Sequence, residues 1–199
     1  GEELNKAFPV IQPGGSDSSA LDNAMESLVL GGRDLLHTAM MLIPEAYRAV
    51  PDMDDDVRAA LAWSFGEGRL LEDARAAVTV LGNYWMVRRT VAEGRRWAQA
   101  GIDSAVGTPG EGGPRMAMAL MAFADDDVET CAEELDRSAK GARLGGDDSL
   151  LADVLGFRSL FAMLAGDFEL AESLGTESRA LCEACGNEVG IAMSDMRLG

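Results

Sequence analysis

Histidine is almost missing from this 199-residue chain, which has one, and cysteine and tyrosine are nearly as scarce at three and two. Three cysteines are too few, and odd in number, for a disulfide framework, so reduced thiols and a cytoplasmic setting are expected. The lone His37 has no companion histidine or carboxylate constellation, and this leaves metal binding or acid–base work at that position without partners. Long apolar runs are also lacking. The longest, Met116 to Ala124, is about half of what a bilayer-spanning helix needs, so a soluble protein without membrane contact is expected. The chain opens on Gly1 with no basic-then-apolar stretch, and it reads as a piece of a longer protein without a signal peptide. Positive charge is in deficit too: 17 Lys and Arg face 34 Asp and Glu, for a net charge of −17. Residues 1–56 hold −8 of it and residues 57–199 hold −9. Such a surface repels phosphate backbones and anionic lipid, which excludes direct nucleic-acid binding.

What is present is helical periodicity from about residue 57 onward. Leu71, Ala74, Val78, Leu81 and Trp85 step by threes and fours. So do Leu150, Val154, Phe157, Phe161 and Leu164, and then Leu170, Leu174, Ser178, Leu181 and Cys185. Breakers separate these stripes at Gly66–Gly68, Gly107–Pro114, Gly145–Asp148, Gly166-Asp167 and Gly186-Asn187. No alternating run long enough for a sheet occurs. Sliding the chain by 40 residues brings Leu120, Ala122, Asp127, Glu129, Ser138 and Gly146 onto Leu160, Ala162, Asp167, Glu169, Ser178 and Gly186. Each unit then reads as helix, tight turn, helix, loop, and such a unit must stack on its neighbours to bury its stripe. The expected fold class is mainly α, with antiparallel helical hairpins over residues 57–199.

The segments "GNYWMVRRTVAEGRRWAQAGIDSA" (82–105) and "AMLAGDFELAESLGTESRALCEACGNEVGIA" (162–192) resemble the tetratricopeptide-type repeats of LuxR-type and related signalling-ATPase regulators in bacteria. Gly166, Asp167, Phe168 and Ala171 match that family's turn into its second helix. The resemblance implies a right-handed, TPR-like solenoid. It also implies a non-catalytic regulatory scaffold whose concave face takes a protein, a peptide or a neighbouring domain of the parent protein.

The front of the chain is different. "FPVIQPGGSDSSALDNAMESLVLGGRDLLHTAMMLIPEAY" with "PDMDDDVRA" resembles the amidotransferase domain of the glutamate synthase large subunit. The resemblance implies an attacking cysteine at a mature N-terminus, its own α-amine as base, and oxyanion donors that stabilise the intermediate. It gives Asp17 the task of gripping the α-amino group of glutamine. Gly1 is no nucleophile, and the first cysteine is Cys131, in the helical part. Asp17 also has a plainer reading, because a Pro-Gly-Gly-Ser-Asp loop before a helix is where Ser16 or Asp17 would cap free amides. Leu21, Met25, Leu28 and Val29 would stripe that helix, and Leu36, Met40, Ile43 and Tyr47 the next.

The organisation expected is therefore a partial, mostly helical amidotransferase-derived segment over 1–56 and a helical repeat unit over 57–199, with the switch near 57–62. Three functions follow: the regulatory scaffold as the leading one, a partial glutamate synthase large subunit inactive without its cysteine as the alternative, or a join of two coding sequences with no function of its own. No cofactor or metal is expected. Cys182-Glu183-Ala184-Cys185 falls short of a four-ligand zinc site and reads as packing. Asp54–Asp56 and Asp125–Asp127 lack the glycine and distal glutamate of a calcium loop and read as turns and helix starts. The glycine-rich 107–114 lacks the Gly-Lys-Ser/Thr of a phosphate cradle and reads as a flexible connection. Trp63, Trp85 and Trp97 read as core.

Overall fold

A computed structural model describes residues 54–198. Among them are eight α-helices and one 3-10 turn, with no strand. They are α1 (Asp54–Glu67), α2 (Leu71–Arg88), α3 (Val91–Asp103), the 3-10 turn Pro109–Glu111, α4 (Gly112–Ala124), α5 (Val128–Gly145), α6 (Asp148–Leu164), α7 (Phe168–Cys185) and α8 (Glu188–Leu198). The mainly α expectation holds for these residues.

Local chemistry repeats every 20 residues in the rear part. Asp126, Gly146, Gly166 and Gly186 take left-handed backbone angles, with φ of 60°, 68°, 80° and 72°. The amide of the following residue then closes the helix behind it: Asp127, Asp147, Asp167 and Asn187 donate to the carbonyls of Ala122, Ala142, Ala162 and Cys182. Three of those same residues open the helix ahead, where Asp127, Asp147 and Asp167 accept from the amides of Thr130, Leu150 and Leu170. Asn187 accepts from the Gly190 amide in the same way. One residue thus ends one helix and caps the next, which keeps the connections to a few residues and lets consecutive helices pack on each other.

Tertiary contacts carry a 40-residue echo. The Ser138 hydroxyl donates to the Gly112 carbonyl at 2.7 Å, and the Ser178 hydroxyl donates to the Ala152 carbonyl at 2.7 Å. Both donor and acceptor are shifted by one unit. Each bond ties the second helix of a hairpin to the first, α5 to α4 and α7 to α6. Close backbone approach accompanies the first of them, since a Cβ on Gly141 would lie 3.0 Å from the Gly112 Cα.

The core centres on α4. Met116, Ala117, Ala119, Leu120, Met121 and Ala122 are all buried, so this helix is covered on every side, by α2, α3 and α5. The longest apolar run of the chain is thus its central rod. Helix α4 begins at Gly112 and buries Pro114 in its first turn, so the connection expected over 107–114 is shorter and partly ordered as helix. Trp85 and Trp97 are buried as expected, whereas Trp63 is half-buried with the Arg69 guanidinium over its ring.

Two stripes differ from the expectation. Helix α7 buries Ala171, Gly175, Ser178 and Cys182, with Leu170 exposed and Leu174 and Leu181 at the flanks. Small residues occupy the contact line because α6 lies close, and the larger leucines are displaced to either side. On α6, Leu164 is exposed at the C-terminal end, where the turn lifts the last residue off the core.

Candidate functional site

The candidate substrate-binding residue Asp17, the lone His37, and the stripes at 21–29 and 36–47 lie outside the described residues. What the structure does describe is the junction with the front segment, helix α1. Its Asp54–Asp56 start places carboxylates at the positive end of the helix dipole. One face, with Ala60, Leu61 and Ser64, is buried. Arg58 then reaches 35 residues along the chain to α3, with Nε 2.6 Å from Glu93 Oε1 and a second nitrogen 3.0 Å from Oε2. This two-pronged bond holds the Glu93 carboxyl below its usual range against the opposing effect of burial, with the Trp97 indole and Arg96 adding to the pull. Phe65 stacks on Trp97 with centroids 6.3 Å apart. Sequence reasoning did not find this junction: both pairs are long-range, and nothing in local spacing marks them.

A second charged cluster lies where the 3-10 turn meets α4 and α5. Arg115 bonds Glu111 at 2.7 Å and Glu134 at 2.8 Å, and Arg137 bonds Glu134 at 2.6 Å. Burial pushes the Glu111 carboxyl up, but the Gly107 amide and Arg115 pull it further down, so it stays ionised. Every member has an opposite charge in reach, and the cluster ties the α3–α4 connection to the core.

Nucleophiles are poorly placed. Burial, helped by the nearby Asp127 carboxylate, pushes the Cys131 thiol up to about 11, so it is protonated near neutrality. Cys182 is buried where a Cβ on Gly190 would clash with its sulfur, whereas Cys185, one turn on, is exposed. The pair therefore sits in two different surroundings. Among the described residues no three His, Cys, Asp or Glu side chains converge as metal ligands, and no helix is long and apolar enough to cross a membrane.

Comparison with known proteins finds similarity over the front segment. Residues 1–69 match the family model of class-II glutamine amidotransferases. The chain is 52% identical over 59 residues to the glutamate synthase [NADPH] large chain of Bacillus subtilis, covering 30% of this chain and 4% of that protein. It is 47% identical over 64 residues to glutamate synthase [NADH] of Saccharomyces cerevisiae, covering 32% and 3%. Ferredoxin-dependent glutamate synthase 2 of Synechocystis is 45% identical over 53 residues, covering 27% and 3%. The chain thus spans only a few per cent of the length of these relatives. No solved structure matches it.

These matches overturn the leading functional expectation. A regulatory scaffold drawn from a bacterial transcriptional or signalling regulator gives way to the enzyme alternative, because the similarity is to glutamate synthases and to an amidotransferase domain. The front of the chain, residues 1–69, is similar to class-II glutamine amidotransferases, and that similarity runs through the whole of α1.

Proposed function

We propose that this chain carries part of the glutamine-handling domain of a glutamate synthase-type enzyme, joined through α1 to a helical unit. The observation behind this reading is identity of 45–52% to glutamate synthases over 53 to 64 residues. In amide hydrolysis of this kind a thiolate attacks the side-chain amide carbon, oxyanion donors stabilise the tetrahedral intermediate, and ammonia leaves. Asp17 would hold the substrate α-amino group as an ion pair, which orients the amide without taking part in bond breaking. The attacking sulfur is not among these residues: the three thiols stand at 131, 182 and 185, on the helical unit, and the first is held protonated. These residues thus offer a carboxylate to hold the substrate but no attacking sulfur at the front of the sequence.

The helical unit, residues 57–199, is read as TPR-like repeats stacked in a right-handed solenoid. The 20-residue punctuation and the paired serine bonds support that reading. Its partner would be the neighbouring amidotransferase segment, in line with the weak self-sufficiency of a fragment of about 56 residues.

Titration calorimetry of the whole chain with L-glutamine, beside Asp17→Asn, tests the reading. Measurable binding weakened at least about tenfold by the substitution supports it, as expected for loss of a charge-assisted contact. Binding that ignores the substitution returns Asp17 to a helix cap, and ammonia release by the unaltered chain would refute the missing-nucleophile step.

A further inference from the structure

The turn between α2 and α3 is a cationic spot on an acidic protein. Residues 57–96 carry seven arginines and four carboxylates, against a net charge of −17 for the whole. Arg88 and Arg89 end α2, are exposed, and meet no carboxylate among the described residues. Elsewhere Arg58, Arg95, Arg115, Arg143 and Arg158 each have one. Arg75 and Arg96 also lack a carboxylate, but Arg75 bonds the Ser104 hydroxyl at 3.3 Å and Arg96 lies over the Trp97 ring, so the 88–89 pair stands apart among the described arginines in having neither. Beside it Val87 is 56% exposed, an apolar side chain next to two charges. Arg89 also holds a left-handed backbone, φ 59°, where the turns at 146, 166 and 186 use glycine.

The path of the chain supplies an occupant. Arg58 lies one helical turn from Asp54, and Glu93, its ion-pair partner, lies in the first turn of α3, just past the turn that holds Arg89. The point where the described chain begins and the arginine pair therefore share one end of the α1–α2–α3 group. Residues 1–53 carry eight carboxylates against three basic side chains. That segment is covalently joined to α1 at this same end, and a direct tether holds the local concentration high.

We propose that Val87, Arg88 and Arg89 form the docking surface on the helical unit for the acidic front segment, residues 1–53 of the same chain. The arginines meet its carboxylates and Val87 meets an apolar side chain. This interface fixes the amidotransferase-like segment against the repeats. It rests on charge and tether rather than on glutamine chemistry, so loss of glutamine binding in Asp17→Asn with the interface intact would touch the functional reading alone.

Amide hydrogen exchange on the full chain tests it, followed at residues 1–53 and at α5–α7, in wild type, Arg88→Glu/Arg89→Glu and Arg89→Gly. Charge reversal is expected to speed exchange within residues 1–53 by about three- to tenfold, with α5–α7 unchanged. Raising salt from about 50 mM to about 500 mM should do the same to wild type, because the contacts are exposed. Arg89→Gly decides the case if the double variant misfolds: it relaxes the backbone, so a purely structural role predicts slower exchange everywhere, whereas docking predicts faster exchange in 1–53 alone. Unchanged exchange in 1–53 across reversal and salt overturns the proposal. So does protection that vanishes on dilution together with a dimer in light scattering, which would assign the surface to a second copy.

Discussion

Between residues 112 and 190 each helix closes on a left-handed residue and the next residue caps the following helix with a side-chain oxygen, at 126/127, 146/147, 166/167 and 186/187. Between residues 54 and 111 the turns lack that paired device, although Gly68 and Gly107 also take positive φ, 67° and 76°. Leu70 and Arg89 take the left-handed angle with φ of 50° and 59°, and neither Leu70 nor Thr90 makes a side-chain cap. Yet the backbone closure is the same, for the Thr90 amide donates to the Trp85 carbonyl as Asp127 does to Ala122. Packing dictates the turn, and the residue that occupies it changes only how much strain the turn holds. The rear helices meet along small residues and buried serines, while the front ones add tryptophan and a long-range ion pair.

The contrast is broken most severely by filling a rear contact line. Gly141→Val should destabilise the chain by about 3 kcal/mol in urea titration, because the new side chain meets the Gly112 backbone, which cannot step aside. The front counterpart Gly94→Ala should also destabilise, since its new Cβ meets the sulfur of the fully buried Met121 and the Trp85 Cβ. Next in size, Ser138→Ala and Ser178→Ala should each cost about 1 kcal/mol and by matching amounts, if the two bonds are one device used twice. Unequal losses would end the case for a 40-residue repeat in the packing.

Removing a rear cap, Asp147→Ala or Asp167→Ala, should cost about 1 kcal/mol in the same titration. Converting the left-handed Asp126 or Arg89 to glycine should stabilise by about 0.5–1 kcal/mol, whereas Ala at Gly166 should destabilise. The smallest effect is on pH dependence. The Glu93 carboxyl sits below its usual 4.5 when folded, so its contribution is fully present above that value and is lost as pH falls through the lower folded value. Stability measured from pH 6 down to about pH 3 should therefore fall less steeply in Arg58→Gln than in wild type.

Much of the fold was legible because turn chemistry is local. Gly146, Gly166 and Gly186, with the acidic or amide residue after each, marked the rear boundaries. The break at Arg89-Thr90 was missed because no glycine or proline stands there. On α7 the periodicity pointed to the leucines, but the contact line runs through Ala171, Gly175, Ser178 and Cys182. The amidotransferase likeness was legible from the run around Asp17, since that motif is carried by consecutive residues. Asp17 itself lies outside the described residues, and the junction at Arg58–Glu93 and Phe65–Trp97 left no trace in spacing.

By itself the amino-acid order determined the helical class, the 40-residue period and the acidic character, all of which depend on neighbours within one or two turns. Only the tertiary structure decided that the apolar run Met116–Ala124 is the central rod, which face of α7 is covered, and which arginines find a carboxylate. Those outcomes depend on how closely two backbones approach across dozens of residues, and no local pattern encodes that distance.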